Sequence, residues 1–327
     1  RGRSATEGFF QSRHLRAMLA EVVIAEGEPF DIVFSYCTGV LPACLAVPAG
    51  CHVIDFVDAD SRKWFDYAER ARWPMSAVYR AEGRAVARLE RRAVERCQAA
   101  FITSAAEAEL LPKGPATVLP VGIGVDSKYF SPGAVAPQPG QPRAAVCSLV
   151  FTGWMNYKPN IDAACWFVRE VLPTLRQRLG KVSLAIVGGS PAPRVQELAA
   201  VEGVTVTGYV PDVRPYVAAA DVAVVPLRIA RGVQNKVAEA LAMGKPVVAS
   251  PGALTGLDVQ PGRDALLADT PDQWVECILS LVGPDGPKPA AAELGRRARQ
   301  AAVKRFNWSA VLRPMVETCA ALAERIM

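Results

Sequence analysis

The chain has 327 residues, 51% of them hydrophobic, and a net charge of +5 at pH 7. That length and apolar content suffice for two α/β domains with separate cores. Charged residues are 21% of the total, a modest balance that argues against a dedicated nucleic-acid binder, and the absence of a run of about 18 uncharged apolar residues argues against a membrane-spanning helix.

Eight cysteines are scattered, at Cys37, Cys44, Cys51, Cys97, Cys147, Cys165, Cys277 and Cys319. None forms a C-x-x-C pair and most lie in apolar runs, so free thiols in a reducing, cytoplasmic compartment are expected. Two histidines, His14 and His52, are too few for a His-rich metal site and argue against a Ser-His-Asp triad. No signal peptide is visible, and the chain does not begin with methionine, so a fragment or a processed product is expected.

Residues 1–20 are basic and amphipathic, with Leu15, Met18, Leu19 and Val22 at helical spacing, which predicts a surface helix on a core. Phe30–Tyr36 and Cys51–Val57 read as buried strands. The second ends in Asp55, Asp58, Asp60 and Ser61. These are either capping and turn residues or groups that face an active cleft. From Asp60 to Cys97 there are ten Lys/Arg against six Asp/Glu. Tyr79–Cys97 reads as a helix with Val86, Leu89, Ala93 and Cys97 on one face and Arg84, Arg88, Arg91 and Arg92 largely off it. Region 62–96 is therefore either a solvated face or a contact for an anionic membrane surface or a lipid diphosphate.

Ala99–Ser104 and Thr117–Pro120 are further strands. Pro and Gly density then rises through Pro142, which marks a linker. The expected division is an acceptor-side domain over 1–142, a second domain over 143–308, and a C-terminal helix over 309–327 that packs back toward the first. The second domain alternates: strands Ser148–Thr152, Val182–Val187, Val204–Thr207, Val222–Leu227 and Pro246–Ser250, with helices Pro159–Leu179, Pro193–Ala200, Asp212–Ala219 and Val233–Gly244 between them. Gln273–Val282 and two C-terminal helices follow. This is a doubly wound parallel pattern.

The stretch Asp221–Gly252 is the most informative. A buried strand leads into a turn with Arg228, Arg231 and Gly232, and then into a helix that begins near the amide pair Gln234–Asn235. Open α/β sheets bind ligands where strands give way to helices. Gly232, Lys236 and Glu239 are spaced to share one helix stripe. Free N–H groups at a helix start, a glycine allowing close approach and a lysine describe an anion site, and cations at that end oppose the helix dipole unless an anion binds. Read alone, Lys236 and Glu239 are equally an ordinary surface pair. Gly153 after LVFT and Gly188–Gly189 after LAIV sit at strand ends, as turn residues or as ligand-approach positions. Neither a G-x-G-x-x-G fingerprint nor a G-x-x-x-x-G-K-[ST] loop is present.

Several segments carry a family resemblance: PVGIGVDSKYFSP at the linker, then FTGWMNYKPNIDAACWF, LAIVGGSP, VTGYVPDVRPYVAAADVAVVPL and GVQNKVAEALAMGKPVVAS in order. Together they resemble glycosyltransferase family 4, of the GT-B fold. DFVDADSRKW with PLRIARGVQNKV is similar, more narrowly, to sugar transferases of PEP-CTERM/exosortase exopolysaccharide systems. The resemblance implies two Rossmann-like, doubly wound domains facing a cleft, the first lacking its initial two or three βα units. It implies a nucleotide-diphosphate sugar as donor, a glycan or lipid-linked acceptor, no cofactor and no required metal, and a site on the cytoplasmic side, peripheral at the membrane.

By position, the resemblance implies that Lys236 binds the donor diphosphate and Glu239 the ribose. Further donor contacts are implied for Gly153, Asn156, Lys158, Gly188, Tyr209, Val210, Arg228, Gly232, Val233, Gln234 and Asn235. Three positions depart from the family. Arg231 stands where a sugar-binding glutamate is frequent, and is expected to help neutralise phosphate. Trp154 stands where arginine often follows the glycine, leaving Lys158 as the nearest cation. Asp58 occupies the region in which many members carry a catalytic histidine. The expected activity is retaining glycosyl transfer, with Lys236, Arg231 and Asp58 as the catalytic set. Two alternatives remain at this stage: a nucleotide-sugar 2-epimerase of the same fold, and a truncated, non-catalytic nucleotide-sugar binding module.

Overall fold

The computed structural model describes residues 4–136, 146–229 and 232–326. The chain forms two compact units, Arg1–Gly122 with Leu312–Met327, and Ile123–Val311. The domain boundary expected at Pro142 lies outside the described residues. The division between units falls earlier, after Gly122, and the second unit begins inside the PVGIGVDSKYFSP segment.

In the first unit, β1 (Phe30–Tyr36), β2 (Ala49–Asp55), β3 (Ala99–Ile102) and β4 (Thr117–Pro120) form a parallel sheet in that order. The order runs one way, so these strands make one half of a doubly wound sheet. Ile54, Phe56, Ala100 and Ile102 join Ala93 and Val94 in its core. The helix Met75–Arg96 buries Val86, Leu89 and Ala93 and leaves Arg84, Arg88, Arg91 and Arg92 exposed. Gly83 lets it approach the helix Asp60–Arg70, since a Cβ there would come within 2.9 Å of the Phe65 ring. The N-terminal segment folds as two helices, Ala5–Phe10 and Arg13–Glu26, because Ser12 caps the second by accepting from the Leu15 N–H at 3.0 Å. The Arg13–Glu26 helix has no buried residue, and Met18 and Val22 are exposed. Its apolar stripe is thus not the core-facing surface its spacing suggests. In the C-terminal segment, the Ile326 side chain lies where a Cβ on Gly50 would point.

The second unit is built on six parallel strands: β5 (Cys147–Thr152), β6 (Val182–Val187), β7 (Val204–Val206), β8 (Val222–Val225), β9 (Val247–Ala249) and β10 (Leu266–Leu267). Their order is β10-β9-β8-β5-β6-β7. The winding reverses between β5 and β8, which pair at Leu149↔Val222 and Val150↔Ala223. Strands β6, β8 and β9 are buried throughout, as expected for strands covered by helices on both faces. The span Pro159–Leu179 is not one regular helix. It runs as Lys158–Trp166, a π turn over Phe167–Val171, and Leu172–Leu179. Pro173 accounts for the interruption, because it has no N–H to donate and its ring crowds the carbonyl four residues back. Arg299 donates to the carbonyls of Ser127 and Phe130 and to that of Ala242. It thereby fixes the start of this unit to the end of the helix Asn235–Ala242.

Candidate functional site

A reversal of strand order opens a crevice outside the carboxyl ends of the two strands that flank it. Here those strands are β5 and β8. The chain leaves β5 at Thr152 and turns at Gly153, with φ at +153°. It leaves β6 at Val187 and turns at Gly188, with φ at +148°. The two turns interlock. The Gly153 N–H donates to the Val187 carbonyl at 3.0 Å, and the Met155 N–H donates to the Gly189 carbonyl at 3.0 Å. A Cβ on Gly188 would collide with the Gly153 carbonyl oxygen, so glycine is required there by close approach as well as by conformation.

The helix after β8 is shorter than its sequence pattern suggests. It begins at Asn235, with Gln234 as N-cap. Gly232 lies before it in a turn, at φ +64°, a left-handed conformation that no helical residue adopts. Gly232 therefore does not share the helix stripe of Lys236 and Glu239. No side chain caps this helix start and no acidic residue occupies its first turn. Its leading N–H groups and the Lys236 ammonium thus present positive potential at one place.

Lys236 is half-buried. Its Nζ donates to Asn160 Oδ1 at 2.9 Å and to Gln234 Oε1 at 3.4 Å, and lies 5.5 Å from the centre of the Phe151 ring. Asn160 Nδ2 in turn donates to the Trp154 carbonyl at 2.9 Å. Burial pushes the lysine down to about 8, against the pull of Glu239. Burial likewise raises the Glu239 carboxyl above the usual glutamate range, with Lys236 acting in the opposite direction. Each charge of the pair is thus held where water solvates it poorly. An anion at Lys236 and hydroxyl donors at Glu239 would complete both.

Gly153, Gly188, Gln234 and Lys236 come together in this crevice. Lys158 opens the helix Lys158–Trp166 and is exposed, as are Asn156 and Asn235. Trp154 is 55% exposed, its ring against Gly189. Tyr209 is 76% exposed and Val210 half-buried, in the loop after β7. Val233 is half-buried in the turn before the helix. The Arg228 guanidinium is engaged by Asp162, with contacts of 2.9 and 2.8 Å, and lies 5.7 Å from the Trp166 ring centre. Arg231 lies outside the described residues.

Asp58 belongs to the first unit, in the loop after β2, where its Oδ1 accepts from Thr103 Oγ1 at 3.2 Å. Its neighbours have structural duties: Asp55 Oδ1 accepts from the Val57 N–H at 2.9 Å, and Asp60 opens the helix Asp60–Arg70. Val57, between them, has φ at +66°, an uncommon conformation for a β-branched residue.

Asn160 is the site residue that motif reasoning missed. It sits in register with Ala163, Ala164 and Phe167, all buried. A polar residue on a helix stripe whose other members are buried and apolar is the signal that could have singled it out.

Residues 147–283 match the family model described as "Glycosyl transferases group 1". No curated protein matches the chain. Solved structures do. Sucrose-phosphate synthase from Thermosynechococcus elongatus superposes with a TM-score of 0.67 at 20% identity, over 95% of this chain and 79% of that one. A glycosyltransferase from Rickettsia africae gives 0.66 at 16% identity, over 94% and 80%. HepE from Anabaena, solved in complex with UDP-glucose, gives 0.65 at 16% identity, over 93% and 82%. The chain thus has the α/β, GT-B type of fold, and its residues 147–283 match glycosyl transferases group 1.

Proposed function

We propose that this protein is a retaining, metal-independent glycosyltransferase that takes a sugar from a nucleotide-diphosphate sugar. The observation that carries the reading is Lys236. It is a half-buried lysine in the first turn of a helix without a side-chain cap, at the point where the sheet order reverses. A diphosphate placed there meets the ammonium and the helix-start N–H groups. Glu239, one turn further along, is proposed to accept hydrogen bonds from the ribose hydroxyls. The structures of HepE with UDP-glucose and with UDP support a nucleotide sugar as the ligand class.

In the reaction, the bond between the sugar's anomeric carbon and the diphosphate oxygen breaks. The acceptor hydroxyl oxygen forms the new bond, and its proton leaves with the nucleoside diphosphate. Negative charge gathers on that diphosphate in the transition state, where a preorganised cation contributes most. Lys236 supplies that cation, with Arg231 as a second on sequence grounds. Asp58 is proposed to engage the acceptor hydroxyl. The retaining course, the glycan or lipid-linked acceptor and the exopolysaccharide setting rest on the resemblance of the segments DFVDADSRKW and PLRIARGVQNKV. A peripheral position on an anionic membrane is supported by the exposed Arg84, Arg91 and Arg92. Among the described residues no helix is long and apolar enough to cross a membrane.

The test is binding and turnover with a panel of sugar nucleotides, with and without a chelator. Donor-dependent transfer that survives chelation is expected. Epimerisation of the donor without acceptor would favour the epimerase reading, and binding without any turnover would favour a non-catalytic module.

A further inference from the structure

We infer that Asn160 is the positioning residue of this site, holding the Lys236 side chain and the turn after β5 in one arrangement; the inference rests on the reading of Lys236 as the diphosphate-binding cation. Asn160 is 3% exposed, and both ends of its amide are used. Its oxygen accepts from Lys236 Nζ and its nitrogen donates to the Trp154 carbonyl, each at 2.9 Å. The two bonds define which way the amide points, since the reverse orientation would set an NH₂ against an ammonium. They also join three segments: the turn after β5, the helix Lys158–Trp166 and the helix Asn235–Ala242. The fit is close. A Cβ on Gly153 would lie 2.8 Å from Asn160 Nδ2 and 3.2 Å from Lys236 Cε.

The chemistry explains why an amide stands there. A carboxylate would hold the lysine more tightly but would cancel its charge and repel a diphosphate. An apolar residue would leave the ammonium only the longer contact to Gln234 Oε1, at 3.4 Å. A neutral acceptor orients the ammonium and leaves its charge for an incoming anion. Asn160 carries no charge and so does not offset the ammonium, while the Glu239 carboxylate acts on Lys236 from further along the helix.

The experiment compares wild type, Asn160→Ala and Asn160→Asp without donor. Lysines are labelled biosynthetically with ¹³C at Cε, which leaves the ammonium hydrogens in place, and the Lys236 resonance is identified by its loss in Lys236→Arg. In wild type its titration midpoint is expected near 8. Asn160→Ala removes a hydrogen bond to the charged form, so the midpoint should fall. Asn160→Asp supplies a carboxylate, so it should rise. UDP-glucose affinity is then measured in all three, and a loss of about tenfold or more is expected in both variants. A residue that only fills space would lower the melting temperature of both variants while leaving the Lys236 midpoint at its wild-type value, and that result overturns the inference. Asn160→Asp is nearly isosteric and keeps the test decisive if Asn160→Ala does not fold. A wild type that binds no sugar nucleotide defeats the diphosphate reading instead, a failure distinct from unmoved midpoints.

Discussion

Lys236 Nζ and Asn160 Oδ1 are 2.9 Å apart, a contact that joins the helix after β8 to the helix after β5 across the reversal of strand order. These two residues are 76 positions apart in the chain. The bond places a lysine, held by a neutral partner, where two turns and a helix start converge.

Removing the lysine should therefore affect chemistry more than folding. Lys236→Ala is expected to lower kcat by about 100- to 1,000-fold, the usual cost of losing one charge-stabilising group. Its circular dichroism should match wild type. Steady-state kinetics with a saturating acceptor would check this, and an unchanged kcat would remove Lys236 from the reaction.

The pH dependence of stability has a definite sign. Lys236 titrates at about 8 in the folded chain and at its ordinary, higher value when unfolded. Between those values the unfolded chain binds more protons, so this lysine makes stability rise with pH across that window. The melting temperature of wild type minus that of Lys236→Met should increase from pH 7 toward pH 10. A difference that stays flat would show that burial does not disfavour the ammonium. Donor binding at about pH 8.5 should also take up protons, because an adjacent diphosphate favours the charged lysine; calorimetry in buffers of different ionisation enthalpy reads this directly.

Glu239 should act on the nucleoside half of the donor. Glu239→Ala is expected to weaken UDP binding by about tenfold or more, the scale of hydrogen bonds to a charged acceptor. The 2′-deoxy and 3′-deoxy analogues should lose affinity for wild type and little or none for Glu239→Ala. Because burial raises its carboxyl above the ordinary range, nucleotide binding should decline on the acid side at a higher pH than an exposed glutamate would impose. Equal penalties for the analogues in both proteins would place the ribose elsewhere.

Gly188→Ala tests the interlocked turns. A methyl group there meets the Gly153 carbonyl oxygen, and the backbone is in a region that disfavours side chains. A loss of roughly 2–4 kcal/mol is expected. Gly8→Ala, in a helix with nothing within 4 Å of the new methyl, should be neutral or slightly stabilising. Chemical denaturation of both variants checks the contrast.

Much of the second unit was legible in the sequence because its strands are short apolar runs bounded by turn residues. Val182–Val187 in this unit, and Phe30–Tyr36 and Thr117–Pro120 in the first, coincide with the observed strands. Departures have local causes. Pro173 breaks a pattern that is periodic on both sides of it. Gly232 takes a left-handed conformation that hydrophobic spacing does not register. Met18 and Val22 keep helical spacing without burial, since periodicity reports which face is apolar and not what covers it. Lys236 and Glu239 could be singled out because their charges sit at the start of a helix after a buried strand. Asn160 carries only the weaker signal of a polar residue among buried positions, and its role is not legible, because its partners Trp154 and Lys236 lie on two different segments that the parallel pairing of β5 with β8 brings together.

The most direct measurement is calorimetric titration of wild type and Lys236→Ala with UDP, UDP-glucose and other nucleoside diphosphate sugars. Saturable binding to wild type by at least one sugar nucleotide is expected, with the loss in Lys236→Ala much larger for the diphosphates than for the matching nucleoside. Equal affinity of the two proteins for every diphosphate ligand, or no binding by wild type across the panel, would contradict a sugar-nucleotide site built on Lys236.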